Sequence, residues 1–136
     1  METAATSRGV TSDEWIAVDF DGTLAIYTSG QFPALGAPIP AMVDRVRGWL
    51  ADGLDVRIFT ARVSVIEGAR GEMDTLSTQA FVEEQRHQIE DWCEIHLGRR
   101  LPVTCVKDFK MAQLWDDRCV QMIPNTGQPV AEVAGA

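Results

Sequence analysis

The stretch that most constrains the fold is Trp15–Leu24, which reads WIAVDFDGTL. Its first residues form an almost wholly apolar run, which is typical of a strand buried on both faces of a parallel sheet. Asp19 and Asp21 end this strand, and in an extended backbone their side chains point to the same side. Because two neighbouring carboxylates repel each other at a buried strand end, they need a cation or a proton between them. The pair therefore indicates a functional site.

The rest of the chain alternates strand and helix patterns. Proline at positions 38 and 40 introduces an amphipathic helix that stops near Gly53, and a second, longer helix is predicted from Gln79 to Leu97, closed by Gly98. Loops are predicted over 25–37 and, with a short helix as the alternative, over 63–78. Further strands are predicted over 54–60, 101–106, 112–115 and 119–123.

This order of elements predicts an α/β fold: a three-layer, Rossmann-like domain with a mainly parallel sheet of about five strands. We expect the domain to span residues 13–123. Residues 1–12 are small and polar, and 124–136 are rich in glycine, proline and alanine, so both ends are predicted to be flexible.

Composition limits the partners and the compartment. The formal net charge of −8 argues against an extended nucleic-acid surface or an anionic membrane. Cys93, Cys105 and Cys119 are odd in number and widely spaced, which favours a reducing compartment over a disulfide framework. Without an apolar signal peptide or a membrane-length run, the chain is expected to be soluble and cytoplasmic.

Polar residues follow the predicted strands at their carboxyl ends, where ligands bind in open α/β sheets. The groups at these ends are Asp19, Asp21, Thr60, Lys107, Asp116 and Asp117. Several carboxylates with one lysine suit Mg²⁺, which favours oxygen ligands. A phosphate ester could then be held between metal, lysine and threonine while one carboxylate attacks phosphorus and another moves protons.

These residues resemble the haloacid dehalogenase (HAD) superfamily of phosphotransferases. The resemblance covers roughly residues 15–120, with DFDGTL at 19–24, then a strand-end threonine, a lysine and an acidic pair in the same order. The first motif is highly specific, the lysine before an acidic pair is intermediate, and Phe59-Thr60 alone is weak. The nearest resemblance is to small HAD-like hydrolases of phages and bacteria.

The resemblance implies a role for each matching residue. Asp19 would be the nucleophile and Asp21 the general acid/base, as in the phosphatase branch. Asp116 would bind Mg²⁺ together with Asp19 and the backbone carbonyl of Asp21. Asp117 would hold these ligands in position without binding the ion itself.

The resemblance also implies how the phosphate is held. Thr60, with Ala61 and Arg62, would bind the phosphoryl group, although Arg62 could instead cap the following helix. Lys107, which ends a strand, is preferred over Lys110 as the charge-neutralising lysine.

Neither 25–39 nor 63–78 is long enough for a folded cap, so the chain resembles the capless type, in which a macromolecular substrate or a partner subunit can cover the site. The expected substrate is a phosphorylated small molecule or a nucleotide or polynucleotide end, and a homo-oligomer is compatible with this interpretation. Extended nucleic acid is disfavoured by the net charge.

Two alternatives remain beside an Mg²⁺-dependent phosphohydrolase. A receiver-like signalling domain also uses an acidic pair, a threonine and a lysine, but its acceptor aspartate lies in mid-chain, where this sequence has Thr60-Ala61-Arg62. A catalytically idle HAD scaffold that binds a protein partner is the other. Because all the catalytic positions are filled, no residue supports it positively.

Overall fold

The computed structural model describes residues 9–64 and 78–132. The predicted loop or short helix over 63–78 and the predicted flexible end over 1–12 therefore lie mostly outside the described residues. In chain order the elements are β1 (Trp15–Val18), α1 (Pro40–Ala51), β2 (Asp55–Phe59), a single 3-10 turn (Ala61–Val63), α2 (Gln79–Leu97), β3 (Val103–Thr104), β4 (Met111–Trp115), β5 (Met122–Ile123) and β6 (Gln128–Pro129).

Strand β1 lies inside a four-stranded sheet of order β3-β2-β1-β4, in which every neighbouring pair is parallel. All four of its residues are buried, which confirms the buried parallel strand predicted from the apolar run. Just past the strand, the Asp19 amide donates to the Trp115 carbonyl at 2.8 Å. The carboxyl ends of β1, β2 and β4 therefore open at one edge of the sheet.

Both helices pack against one face of this sheet. Ile16 and Val18 of β1 are in register with Val56 and Ile58 of β2, and these alternate residues share one buried core with both helices. Burying each such aliphatic side chain contributes about 1.5–3 kcal/mol. The helical residues of the core are Met42, Val46, Leu50, Val82, Ile89, Trp92, Cys93 and Leu97.

The helix boundaries follow local signals. Helix α2 begins and ends at the predicted residues, with the Thr78 hydroxyl accepting from the Phe81 amide and Gly98 in the left-handed conformation at φ +89°. Helix α1 has proline in its first turn, and Gly53 after it has φ +82°.

The other face of the sheet differs from the predicted three layers. Trp15 is buried there, its indole N–H donates to Asp108 at 2.9 Å, and the Arg57 guanidinium lies 4.7 Å from its ring. Neither α1 nor α2 packs on this face. In the described residues the fold is thus a sheet with one helical layer.

Within the described residues, the fifth predicted strand does not join the sheet, which has four strands rather than about five. Only Met122–Ile123 of the predicted 119–123 is extended, and it pairs antiparallel with Gln128–Pro129, inside the segment expected to be a flexible tail. Positive φ angles at Asn125 and Gly127 form the turn that returns the chain. The apolar side chains of β5 are exposed, so this run builds a surface hairpin instead of core.

None of the helices in the described part of the chain combines the length and the apolar character that a membrane crossing needs.

Candidate active site

Three carboxylates meet at the carboxyl edge of the sheet. Asp19 follows β1, and Asp116 and Asp117 follow the neighbouring strand β4. One oxygen from each lies within 4.8 Å of the others. We call Asp19, Asp116 and Asp117 the acidic cluster. Because parallel neighbours end at the same edge, two stretches nearly a hundred residues apart in sequence meet here.

The surroundings of Asp19 disfavour its negative charge. Burial raises the pKa of Asp19 to about 7, and the charge of Asp116 and a hydrogen bond shared with Asp117 act in the same direction. The Phe20 backbone N–H opposes this shift only in part. A divalent cation between the three groups would remove the repulsion, since its charge reverses the local preference for protons.

The loop after β1 is shaped to admit Asp117. Gly22 has φ +86°, and a Cβ at this position would lie 2.6 Å from Oδ2 of Asp117. The Thr23 hydroxyl lies 3.4 Å from Oδ2 of Asp19 and 3.3 Å from Oδ1 of Asp117, and with a single hydrogen it donates to one of them at a time. Glycine is thus required by both the backbone conformation and the close approach of a carboxylate.

Thr60 and Ala61 stand at the end of β2, beside Asp19 and Asp21. Thr60 is buried, its amide donates to the Thr104 carbonyl, and its hydroxyl accepts from the Arg62 amide at 3.1 Å. Because the hydroxyl oxygen accepts this bond, its own hydrogen is available for donation to a ligand. Ala61 is exposed to solvent.

Arg62 is placed differently from the expected phosphate ligand. Its guanidinium binds Asp21 through two hydrogen bonds, Nε to Oδ2 at 2.6 Å and Nη2 to Oδ1 at 2.9 Å. The remaining N–H groups donate to the carbonyls of Pro33 and Ala34 and to the side chain of Gln85. With all five donors used and only 3% of the side chain exposed, Arg62 serves as an internal anchor. We call these contacts the Arg62 network.

A cavity of about 580 Å³ opens over these groups. Its wall includes two exposed aromatic rings, Tyr27 and Phe32, from the loop between β1 and α1. The other residues lining it are Asp19, Asp21, Gly22, Thr60, Ala61, Arg62, Ser64, Asp117 and Arg118.

The two candidate lysines have different surroundings. Lys110 forms an ion pair with Asp13, on an exposed part of the surface. Lys107 is exposed and outside the described lining of the cavity, and its charge acts on the thiol of Cys119, whose pKa is raised mainly by burial and then by Asp116. Among the described contacts, neither lysine is paired with a carboxylate of the acidic cluster.

Sequence reasoning did not find Thr23, Gln85 or the two aromatic rings. The signal for Gln85 was available, because it falls three residues after Val82 on the apolar face of α2, where a buried polar side chain requires a partner. For Tyr27 and Phe32 the sequence held no such signal, since a loop without periodicity does not indicate where its side chains point.

Comparison with protein-family models, with curated proteins and with solved structures finds no match to this chain. The resemblance to the HAD superfamily therefore rests on the motifs and their order in the sequence.

Proposed function

We propose that this protein is an Mg²⁺-dependent phosphohydrolase of the capless HAD type, which hydrolyses phosphate monoesters through an aspartyl-phosphate on Asp19. The observation that carries the proposal is the acidic cluster at the carboxyl edge of a parallel sheet, next to the strand-end Thr60 and open to a cavity. We also propose that the domain is Rossmann-like and has no cap.

The residues present fit a magnesium ion. The cluster offers only carboxylate oxygens, the ligands that this hard cation prefers, and Gly22 leaves room for Asp117 to approach. Asp19 and Asp116 would bind the ion with the backbone carbonyl of Asp21, and Asp117, with a carboxylate oxygen within 4.8 Å of one from each, would bind the ion or orient these ligands. Bound Mg²⁺ would neutralise phosphate charge and polarise the phosphorus–oxygen bonds.

In the proposed reaction a carboxylate oxygen of Asp19 attacks phosphorus, and the bond to the leaving oxygen breaks with its electron pair on that oxygen. Asp21 provides a proton to the leaving group, then takes one from the water that attacks the aspartyl-phosphate. This second attack releases inorganic phosphate and restores the Asp19 carboxylate.

The remaining groups bind and orient. The Thr60 hydroxyl and the backbone at Ala61, which line the cavity, would hold phosphoryl oxygens, and Lys107 would supply positive charge. Arg62 would act indirectly, because its two hydrogen bonds to Asp21 orient the Asp21 carboxylate.

The arrangement of Asp21 also bears on the idle-scaffold alternative. Both of its oxygens accept hydrogen bonds from Arg62, so acid/base work requires either the second lone pair of an oxygen or a shift of the pair. A protein that only binds a partner would need no such shift. Measured turnover separates the two functions.

The proposed substrates are phosphorylated small molecules and nucleotide or polynucleotide ends, with extended nucleic acid disfavoured by the charge of −8. A second copy of the chain could cover the open cavity. The free cysteines at 93, 105 and 119 support a reducing, cytoplasmic location.

Replacing the nucleophile tests this proposal. We expect Asp19→Asn to abolish the Mg²⁺-dependent release of phosphate from p-nitrophenyl phosphate and from a panel of phosphorylated metabolites and oligonucleotide ends, because an amide oxygen is a far weaker nucleophile. Phosphate release measured with and without EDTA, together with circular dichroism of the variant, gives the result.

Asp44→Asn is the matched control, since it removes a carboxylate from the exposed surface of α1, outside the acidic cluster. Undiminished turnover by Asp19→Asn, or turnover by the wild type that is insensitive to EDTA, would contradict the proposed function.

A further inference from the structure

The aromatic wall of the cavity, Tyr27 and Phe32, has no part in the chemistry proposed above. Phe32 exposes 37% of its surface and Tyr27 43%, and both border the cavity that also holds Asp19. Partly exposed rings that border a cavity offer apolar area that a bound ligand can cover. Their place beside the phosphate site makes a ligand in this cavity the direct candidate.

Phe32 makes several contacts even though it is partly exposed. The Arg62 guanidinium lies 4.7 Å from the centroid of its ring, and the same guanidinium donates to the carbonyls of the next two residues, Pro33 and Ala34. The ring of Phe81 from α2 lies 6.1 Å away. Arg62 and Phe81 therefore cover part of the Phe32 ring, and its exposed part borders the cavity.

The loop that carries both rings is tied at its base. The Ile26 amide donates to the Ala37 carbonyl at 2.8 Å, and the indole N–H of Trp92 donates to the Gly36 carbonyl at 2.9 Å. A Cβ on Gly36 would lie 1.7 Å from the Ile26 carbonyl oxygen, so the two sides of the loop are in close contact. A wall fixed in this way loses little conformational entropy when a ligand binds.

We infer that the cavity takes a nucleoside monophosphate, with the phosphate at the acidic cluster and Thr60 and the base stacked on the wall formed by Phe32 and Tyr27. This inference rests on the proposed function and names its substrate class. The shared requirement is a planar aromatic group on the leaving side of the phosphate, which a sugar phosphate lacks. The volume of about 580 Å³ is within the range of small-molecule sites.

Binding decides the inference independently of turnover. With Mg²⁺ present and with Asp19→Asn to prevent hydrolysis, calorimetry compares adenosine and cytidine 5′-monophosphates with ribose 5-phosphate, which keeps the sugar and the phosphate but has no base. We expect the nucleotides to bind about tenfold or more tightly, the range that base–aromatic stacking supports.

Variants of the wall assign the preference to the rings. In the Asp19→Asn background, Phe32→Leu and Tyr27→Leu should each reduce the nucleotide-to-ribose-phosphate affinity ratio about fivefold or more, whereas Phe32→Trp, which keeps a ring, should preserve it. Phe109→Leu is the matched control, because Phe109 is fully exposed and outside the cavity lining.

Equal affinity for nucleotide and ribose 5-phosphate, or a ratio that Phe32→Leu and Tyr27→Leu leave unchanged, would overturn the inference. Tighter binding of a phosphotyrosine peptide than of either nucleotide would overturn it as well. Failure of the proposed function looks different: nucleotides would bind with the expected preference, yet the wild type would release no phosphate from them.

Discussion

Both the backbone conformation and the neighbouring Asp117 carboxylate restrict which residue fits at Gly22. Its φ of +86° is strained for any side chain, and the space that a Cβ would need is taken by the Asp117 carboxylate. Any other residue here would strain the backbone of the loop after β1 and force the Asp117 carboxylate to move.

We expect Gly22→Ala to lower the free energy of unfolding by about 2 kcal/mol or more, since left-handed strain costs about 1–2 kcal/mol and the displacement of Asp117 adds to it. Gly30→Ala is the control, because Gly30 has a similar φ of +83° with nothing within 4 Å of its Cβ. Urea unfolding of both variants isolates the effect of the contact, and equal losses would show that Asp117 does not limit this position.

At the residue scale, the sequence predicted the positions that depend on local pattern and strand order. Asp19 and Asp116 follow apolar runs, and parallel strands bring such ends together, so their meeting was predictable. The partners of Arg62 were not, because they lie 41, 29 and 23 residues away at Asp21, Pro33 and Gln85. Such contacts depend on how a loop and a helix pack, which no local pattern encodes.

At the scale of elements, the Arg62 network joins three parts of the fold that the sheet alone does not hold together. One guanidinium connects the end of β2 to the loop after β1, through Asp21 and Pro33, and to α2, through Gln85, which is 1% exposed. The loop carrying the aromatic wall is thereby fixed to the helical layer.

We expect Arg62→Lys to lower the free energy of unfolding by about 2–3 kcal/mol, because an ammonium keeps the charge but cannot reach four separate acceptors. Arg57→Lys is the matched control: Arg57 also forms two hydrogen bonds to one aspartate, Asp55, but its side chain is 33% exposed and that of Asp55 is 41% exposed. That variant loses a partly exposed pair and the guanidinium contact with the Trp15 ring, so it should lower stability by about 1 kcal/mol or less. Comparable losses in the two variants would show that burial of the Arg62 network adds nothing.

Elements were predictable where length and periodicity agreed. Helix α2 is nineteen residues long with apolar residues on one face and a terminal glycine, and its limits match the prediction. The prediction of a sheet strand over 119–123 was wrong because the turn at Asn125 and Gly127, which are typical hairpin residues, pairs this run with the following residues instead of with the sheet.

At the scale of the whole molecule, the acidic cluster links stability, pH and metal. The pKa of Asp19 rises from an ordinary value of 3.8 to about 7 in the folded protein, mainly because the group is buried and secondly because of the charge of Asp116. Between these two values the folded state keeps a proton that the unfolded state has lost. Without metal, stability must therefore fall as the pH rises through this window and level off above it.

We expect the free energy of unfolding of the metal-free wild type to fall by up to about 1 kcal/mol more than that of Asp116→Asn between pH 4 and pH 7, because the variant removes the second cause of the pKa shift while burial still acts on Asp19. Saturating Mg²⁺ should reverse this fall and stabilise most at the highest pH, because the ion binds the ionised carboxylates of the folded state. Asp44→Asn, which leaves the cluster intact, should follow the wild type.

Urea titrations followed by tryptophan fluorescence, with EDTA or Mg²⁺ at each pH, measure all three proteins. Parallel metal-free pH profiles for wild type and Asp116→Asn would show that the Asp116 charge does not act on Asp19. Stabilisation by Mg²⁺ that does not grow with pH would show that the ionised carboxylates do not bind the ion, and the basis for metal-assisted chemistry at this edge of the sheet would be lost.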